Sequence, residues 1–136
     1  MNYKLETIKR KKVFELLFAN GKRFSIGSLR LVVLPRGRGE PEAELNKIFY
    51  AVQVSKKATK KAVVRNRIKR LLRESLRYLA RSGMKEKLHS FKYIFLGWVD
   101  APQRACEISL KDILPIVEKG LTVASEMLVE KGKEKS

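Results

Sequence analysis

Residues 56–81 read KKATKKAVVRNRIKRLLRESLRYLAR and set eleven lysines and arginines against one acid, Glu74. The window alone carries ten of the chain's formal charge of +17. Like charges at this density repel one another and suit a polyanionic partner. The lysines cluster first, at Lys56, Lys57, Lys60 and Lys61, and the arginines follow at Arg65, Arg67, Arg70, Arg73, Arg77 and Arg81, with Lys69 among them. A guanidinium is a planar fork that can hold a phosphate through two parallel hydrogen bonds, where an ammonium is a point charge. The chemistry these residues can do is therefore the binding of phosphates rather than bond breaking.

The element that must position them is a helix from Ala62 onward. Val64, Ile68, Leu71, Leu72, Ser75 and Leu79 recur with the helical period and form one face. Asn66, Lys69, Arg70, Arg73 and Arg77 fall on the opposite face. One side suits a hydrophobic core and the other a row of phosphates. A merely solvated helix face would mix signs, and this one does not.

The rest of the chain bounds what that helix belongs to. One hundred and thirty-six residues, 44% apolar, suit one domain with its own core rather than a disordered basic tail. The expected unit is a single nucleic-acid-binding domain over residues 1–130, followed by a disordered charged tail at 131–136. Nucleic acid is the first partner to consider and an anionic membrane surface the second. The single cysteine, Cys106, excludes a disulfide framework or a thiolate cluster and fits a reducing compartment. No apolar run reaches the ~18 residues of a membrane span, and the first residues have no apolar core of a secretory signal. The expectation is a cytoplasmic chain with no membrane partner.

Residues 7–20 suggest a short helix, with Thr7 able to cap it and Asn20–Gly21 able to end it. Phe14 and Phe18 share one face of it, preceded by Arg10, Lys11 and Lys12. They are either core residues or a stacking platform for unpaired bases beside cations. Strands are expected at 23–26, 29–34, 47–55 and 91–99, with Gly27–Ser28 as a break and Pro35 as a stop. In the third of these, Ile48, Tyr50, Val52 and Val54 take one face and Phe49, Ala51 and Gln53 the other. Residues 36–45 read as a loop, and Thr59 as a possible cap for the basic helix. A connecting loop is expected at 84–90. A last amphipathic helix over 109–130 places Ile113, Ile116, Val117, Leu121, Ala124 and Leu128 on its apolar stripe. Pro115 favours Asp112 as its cap, and Gly120 weakens it by about 1 kcal/mol relative to alanine.

Catalytic constellations are missing. RGRG at 36–39 has neither the spacing nor the context of a phosphate-binding loop. His89 is the single histidine and has no cysteine beside it, so neither a nucleophile–base pair nor a metal site is expected. The chain is expected to hold no catalytic residue, metal or cofactor of its own. If it serves an enzyme, the reactive centre lies in a partner.

The segment Val54-Ser55-Lys56-Lys57, followed by Ala62 through Glu74 with Arg65-Asn66-Arg67 at its centre, resembles the hallmark "RNR" run of the bacterial ribonuclease P protein component. The resemblance extends to Phe14 and Phe18 ahead of Gly21-Lys22-Arg23-Phe24, and to the strands at 29–34 and 93–97. Ala51 and Thr59 stand where that family commonly has glycine. The resemblance implies an α+β protein, an α/β sandwich with a mixed four-stranded sheet in the order α-β-β-β-α-β-α, similar to a small-subunit ribosomal-protein domain. It also implies a left-handed β-α-β crossover, against the general rule.

The implied function is that of the protein subunit of ribonuclease P. It would assist a catalytic RNA, which holds Mg²⁺, in removing the 5′ leader from precursor tRNA. Lys56, Lys57, Lys61, Arg65, Asn66, Arg67, Lys69, Arg70 and Arg73 would bind the RNA subunit. Arg10, Lys11, Phe14, Phe18 and Lys22 would line a cleft for the leader. The implied partners are the RNA subunit and precursor tRNA, with no stable protein partner. A ribosomal RNA-binding protein or RNA chaperone is the alternative that composition fits equally well.

Overall fold

The computed structural model describes residues 4–36, 47–82, 85–99 and 108–134. Elements run β1 (Lys4–Thr7), α1 (Lys11–Asn20), β2 (Lys22–Ile26), β3 (Leu29–Pro35), β4 (Lys47–Val54), α2 (Ala62–Arg81), α3 (Lys85–Leu88), β5 (Phe91–Trp98) and α4 (Leu110–Glu134). The strands form one mixed five-stranded sheet in the order β1-β4-β5-β3-β2. β1 pairs β4 and β4 pairs β5 in parallel, while β3 pairs both β5 and β2 antiparallel.

The sheet carries a different layer on each face because its strands alternate. Leu29, Leu31, Val33, Ile48, Tyr50, Val54, Ile94, Leu96 and Trp98 point to one face, where α2 and α4 bury them. Val32, Ala51 and Phe95 point to the other, where α1 covers part of them with Leu17. α2 takes the expected bounds at its start and end. It buries Val64, Ile68, Leu71, Leu72, Ser75 and Leu79 as its period requires, and Leu76 and Ala80 as well. Burying a Leu or Ile side chain stabilises by roughly 1.5–3 kcal/mol. This apolar face is what holds a helix of otherwise self-repelling charge in place.

Several expectations are corrected. The sheet has five strands rather than four, because Lys4–Thr7 adds β1 at one edge through parallel pairing with Lys47–Tyr50. Thr7 is thus a strand residue, and α1 starts at Lys11 with Arg10 preceding it and no side-chain cap. Residues in the expected loop at 84–90 include the single turn α3. α2 is preceded by Lys61 rather than capped by Thr59, whose Oγ1 accepts the Lys61 N–H at 3.2 Å. In α4 the cap is Ser109. Asp112, in the first turn, reaches back to accept its N–H at 2.8 Å, and Pro115 lies within the helix. α4 also continues through Glu134, beyond the expected end at 130 and into the stretch expected as a tail. The expected loop beyond Arg36, Cys106 and residues 135–136 lie outside the described residues.

Two close approaches fix how the layers sit. A Cβ at Gly21 would lie 2.4 Å from the Leu17 carbonyl oxygen and 2.7 Å from Val32 Cγ1, so only glycine lets α1 turn down onto the sheet. A Cβ at Gly120 would meet Leu29 Cδ2 at 3.0 Å, so this glycine brings α4 close to β3 in exchange for its poor helix propensity. Between Ile26 and Leu29 the two-residue hairpin has positive φ only at Gly27, φ 56°, the pattern of a type II′ turn.

Candidate nucleic-acid interface

Two surfaces are built on opposite sides of the sheet. The first is the cleft between α1 and the face that α1 covers only in part. Phe14 and Phe18 are half-buried, with ring centroids 6.5 Å apart and planes 17° apart. Phe18 meets the edge of Phe95 at 4.9 Å and 71°. The rings are therefore packed in part against the core and exposed in part. Lys11 lies one turn before Phe14 on the same flank of α1. Arg10, at the start of the helix, lines a groove of about 750 Å³ with Ile8, Val13, Lys47, Phe49 and Tyr93.

Phe49 and Tyr93 extend the aromatic floor. They are cross-strand partners between β4 and β5, with ring centroids 5.6 Å apart. The pairing of β3 with β5 shifts register between Leu34 and Pro35, which leaves Lys92 as the extra residue on β5, and Lys92 Nζ sits 5.6 Å from the Tyr93 ring.

Lys22 does not join the cleft. It pairs with Val33, whose side chain belongs to the face under α2 and α4, whereas Arg23 pairs with Val32 on the cleft face. The guanidinium of Arg23 lies 6.0 Å from the Phe18 ring and donates to the Phe18 carbonyl at 2.8 Å. Strand alternation thus exchanges the expected lysine for its neighbour. Further along the same face, Gln53, Gly97 and Arg30 stand in register across β4, β5 and β3, a polar continuation of the floor.

The second surface is the outer side of α2. Asn66, Arg70 and Arg77 are exposed, and Lys69 and Arg73 are half-buried along one flank. Lys56, Lys57 and Lys61 are exposed on the segment leading into the helix. Arg65 donates to the Thr59 carbonyl at 2.9 Å, and Arg67 to the Ile108 carbonyl at 2.9 Å. These two arginines therefore also brace the entry turn and the approach to α4, leaving their remaining N–H groups for a phosphate. The Arg70–Glu74 pair, 3.8 Å apart and exposed, contributes little to stability. Trp98 and Tyr50, 5% exposed each, are core residues and present nothing to a ligand. Among the described residues no three potential ligands converge on a metal position, and no helix is long and apolar enough to cross a membrane.

Phe49, Tyr93, Arg23 and Lys47 are cleft residues that sequence reasoning left out. Only strand pairing brings Phe49 and Tyr93 into one cluster with Phe14 and Phe18, Arg23 to the Phe18 ring, and Lys47 to the groove at Arg10. The one available signal was the alternation of β4, which put Phe49 opposite the core-facing set.

A mixed-sheet α+β sandwich with an aromatic cleft on one side and a one-sign basic ridge on the other defines a nucleic-acid-binding protein. A family model described as Ribonuclease P matches residues 3–121. The ribonuclease P protein component of Rickettsia bellii (strain RML369-C) is 36% identical over 87 residues, spanning 62% of this chain and 70% of that protein. That of Rickettsia peacockii (strain Rustic) is 32% identical over 104 residues, spanning 76% and 82%. In fold, the Staphylococcus aureus RNase P protein superposes with a TM-score of 0.64 at 22% identity, covering 89% of this chain and 96% of that one. The Thermotoga maritima RNase P protein gives 0.60 at 18%, covering 85% and 94%. The chain belongs to the ribonuclease P protein family, and it is a protein component of that tRNA-processing holoenzyme. These matches do not favour the ribosomal-protein alternative.

Proposed function

We propose that the two surfaces divide the work of the holoenzyme. The ridge of α2, with Arg65, Asn66, Arg67, Lys69, Arg70 and Arg73 and with Lys56, Lys57 and Lys61 before it, docks on the catalytic RNA. Neutralising phosphates there lets RNA strands approach one another and raises their affinity for Mg²⁺, which the RNA holds. The cleft takes the single-stranded 5′ leader of precursor tRNA. Arg10, Lys11 and Arg23 hold its backbone, and Phe14 and Phe18 stack its bases. Stacking tolerates any sequence, because every base has a π face. That suits leaders that differ from one tRNA to the next. Hydrolysis belongs to the RNA subunit, and the complex works in the cytoplasm.

The observation that carries this reading is the placement of aromatic cleft and basic ridge on opposite faces of one sheet. Two separate RNA segments can then be held at once. The test is precursor-tRNA cleavage by a bacterial ribonuclease P RNA at low Mg²⁺, with and without the chain. Added chain should restore cleavage that the RNA alone performs poorly. No stimulation, or cleavage by the chain in an RNA-free preparation, would overturn the reading.

A further inference from the structure

Near its C-terminal end α2 carries a feature that RNA docking through the N-terminal half does not use. Tyr78 is 56% exposed, the one aromatic side chain among the described residues that stands so far out. It borders a shallow groove of about 480 Å³ lined by Glu74, Arg77, Tyr78, Arg81, Ser82 and Leu110. Arg77 and Arg81 are exposed and line the groove with the ring. Glu74, the one acid of the lining, lies 3.8 Å from Arg70. Leu110, packed against the core at the start of α4, supplies an apolar wall.

An exposed ring, an apolar wall and flanking guanidinium groups match one kind of occupant. A base can lie on the tyrosine face while its neighbouring phosphates meet the arginines. A protein partner would need a broader apolar patch than one ring and one leucine provide. The leader is the wrong strand, because α2 covers the face opposite the cleft. Eleven residues separate Arg67 from Tyr78, or about 16 Å along the helix axis, so the groove is a separate site from the one around Arg65 and Arg67.

We propose that this groove holds an unpaired nucleotide of the RNA subunit, its base stacked on Tyr78 and its phosphates on Arg77 and Arg81. This rests on the reading that α2 docks on ribonuclease P RNA.

The experiment uses the full chain and a bacterial ribonuclease P RNA, and measures Kd across a salt series. Tyr78→Ala should weaken binding about 5- to 150-fold. Tyr78→Phe should stay within about twofold, because the face of the ring does the work. Tyr78→Leu keeps apolar bulk without a π face and should fall with alanine, which separates stacking from any loss of fold. The slope of log Kd against log salt should be unchanged by Tyr78→Ala and should flatten by about one for Arg77→Ala. Chemical probing should show one unpaired base losing protection with Tyr78→Ala. The proposal is overturned if Tyr78→Ala and Tyr78→Leu bind as tightly as the wild type, or if Tyr78→Phe is as damaging as alanine. A wild-type chain that fails to bind the RNA at all would instead sink the docking reading beneath it.

Discussion

Removing Phe14 tests the cleft most directly. Phe14→Ala deletes a half-buried ring that stacks loosely on Phe18, 6.5 Å away, and leaves the tighter Phe18–Phe95 contact at 4.9 Å in place. Leu17, fully buried beside it, still anchors α1 to the sheet. Full truncation of a core phenylalanine costs about 3–5 kcal/mol, and a half-exposed ring about half of that. The fold should therefore survive with a lowered melting temperature. The loss of one stacked base should cost about 1–3 kcal/mol, or roughly 5- to 150-fold in Kd. It should fall only on substrates that carry a leader. The assay is binding of precursor tRNA and of leaderless tRNA to the reconstituted holoenzyme, under conditions that block cleavage. Assembly of the chain with the RNA subunit is measured alongside. An equal loss for both substrates, or a loss explained by weaker assembly, would refute the assignment of the leader to this cleft.

The remaining expectations concern the ridge and the seat of α1. Arg65→Ala combined with Arg67→Ala should weaken assembly with the RNA subunit and lower its salt slope by about 0.9 for each phosphate no longer neutralised, read from titrations between about 50 and 200 mM salt. Because both side chains also hold backbone carbonyls, at Thr59 and Ile108, the pair should lower the melting temperature modestly as well. Gly21→Ala places a carbon 2.4 Å from a backbone oxygen that cannot move aside without shifting α1. It should cost about 1–3 kcal/mol, seen as a lower urea midpoint at unchanged m-value. By displacing α1 from the sheet, it should also reduce the preference for leader-bearing substrate.

Much of this architecture can be read locally. The bounds of α2 and its buried face follow from a helical period that no competing signal interrupts, and Ile48 to Val54 alternate as the sheet requires. What could not be read depends on partners distant in the chain. Lys4–Thr7 is a strand only because β4 lies alongside it, and its own four residues have no apolar alternation to announce it. Whether Lys22 or Arg23 faces the cleft turns on a one-residue register against β3, and such a slip sends every side chain to the other face. Phe49 and Tyr93 became cleft residues when β4 and β5 paired in register. Tyr78 was hidden for a different reason. On a helix read for its basic residues, a single aromatic gives no periodic signal, and its significance comes from the α4 residue Leu110 beside it.

On the proposed reading, the sheet's two-sidedness lets one small chain bind two RNA segments without the sites interfering. The proposed leader site needs partly exposed aromatics, which are costly to leave bare; α1 covers Val32, Ala51 and Phe95 with its own Leu17 and leaves the outer rings partly exposed. That leaves one face of the sheet thinly covered, and the stability must come from the other. There α2 and α4 bury the larger cluster, from Leu29 through Ala124. The helix that contributes most of that burial can then present charge outward, because its attachment rests chiefly on its apolar face, with Arg65 and Arg67 adding two hydrogen bonds to backbone carbonyls. Repulsion among the arginines of α2 is thus opposed by apolar contacts in the free chain and, on the proposed reading, relieved by phosphates in the complex. The same helix anchors the fold through one face and, in the proposed function, docks RNA through the other. For that reason, substitutions on its outer side should separate binding from stability more cleanly than substitutions in the cleft, where ring packing and ring stacking share the same atoms.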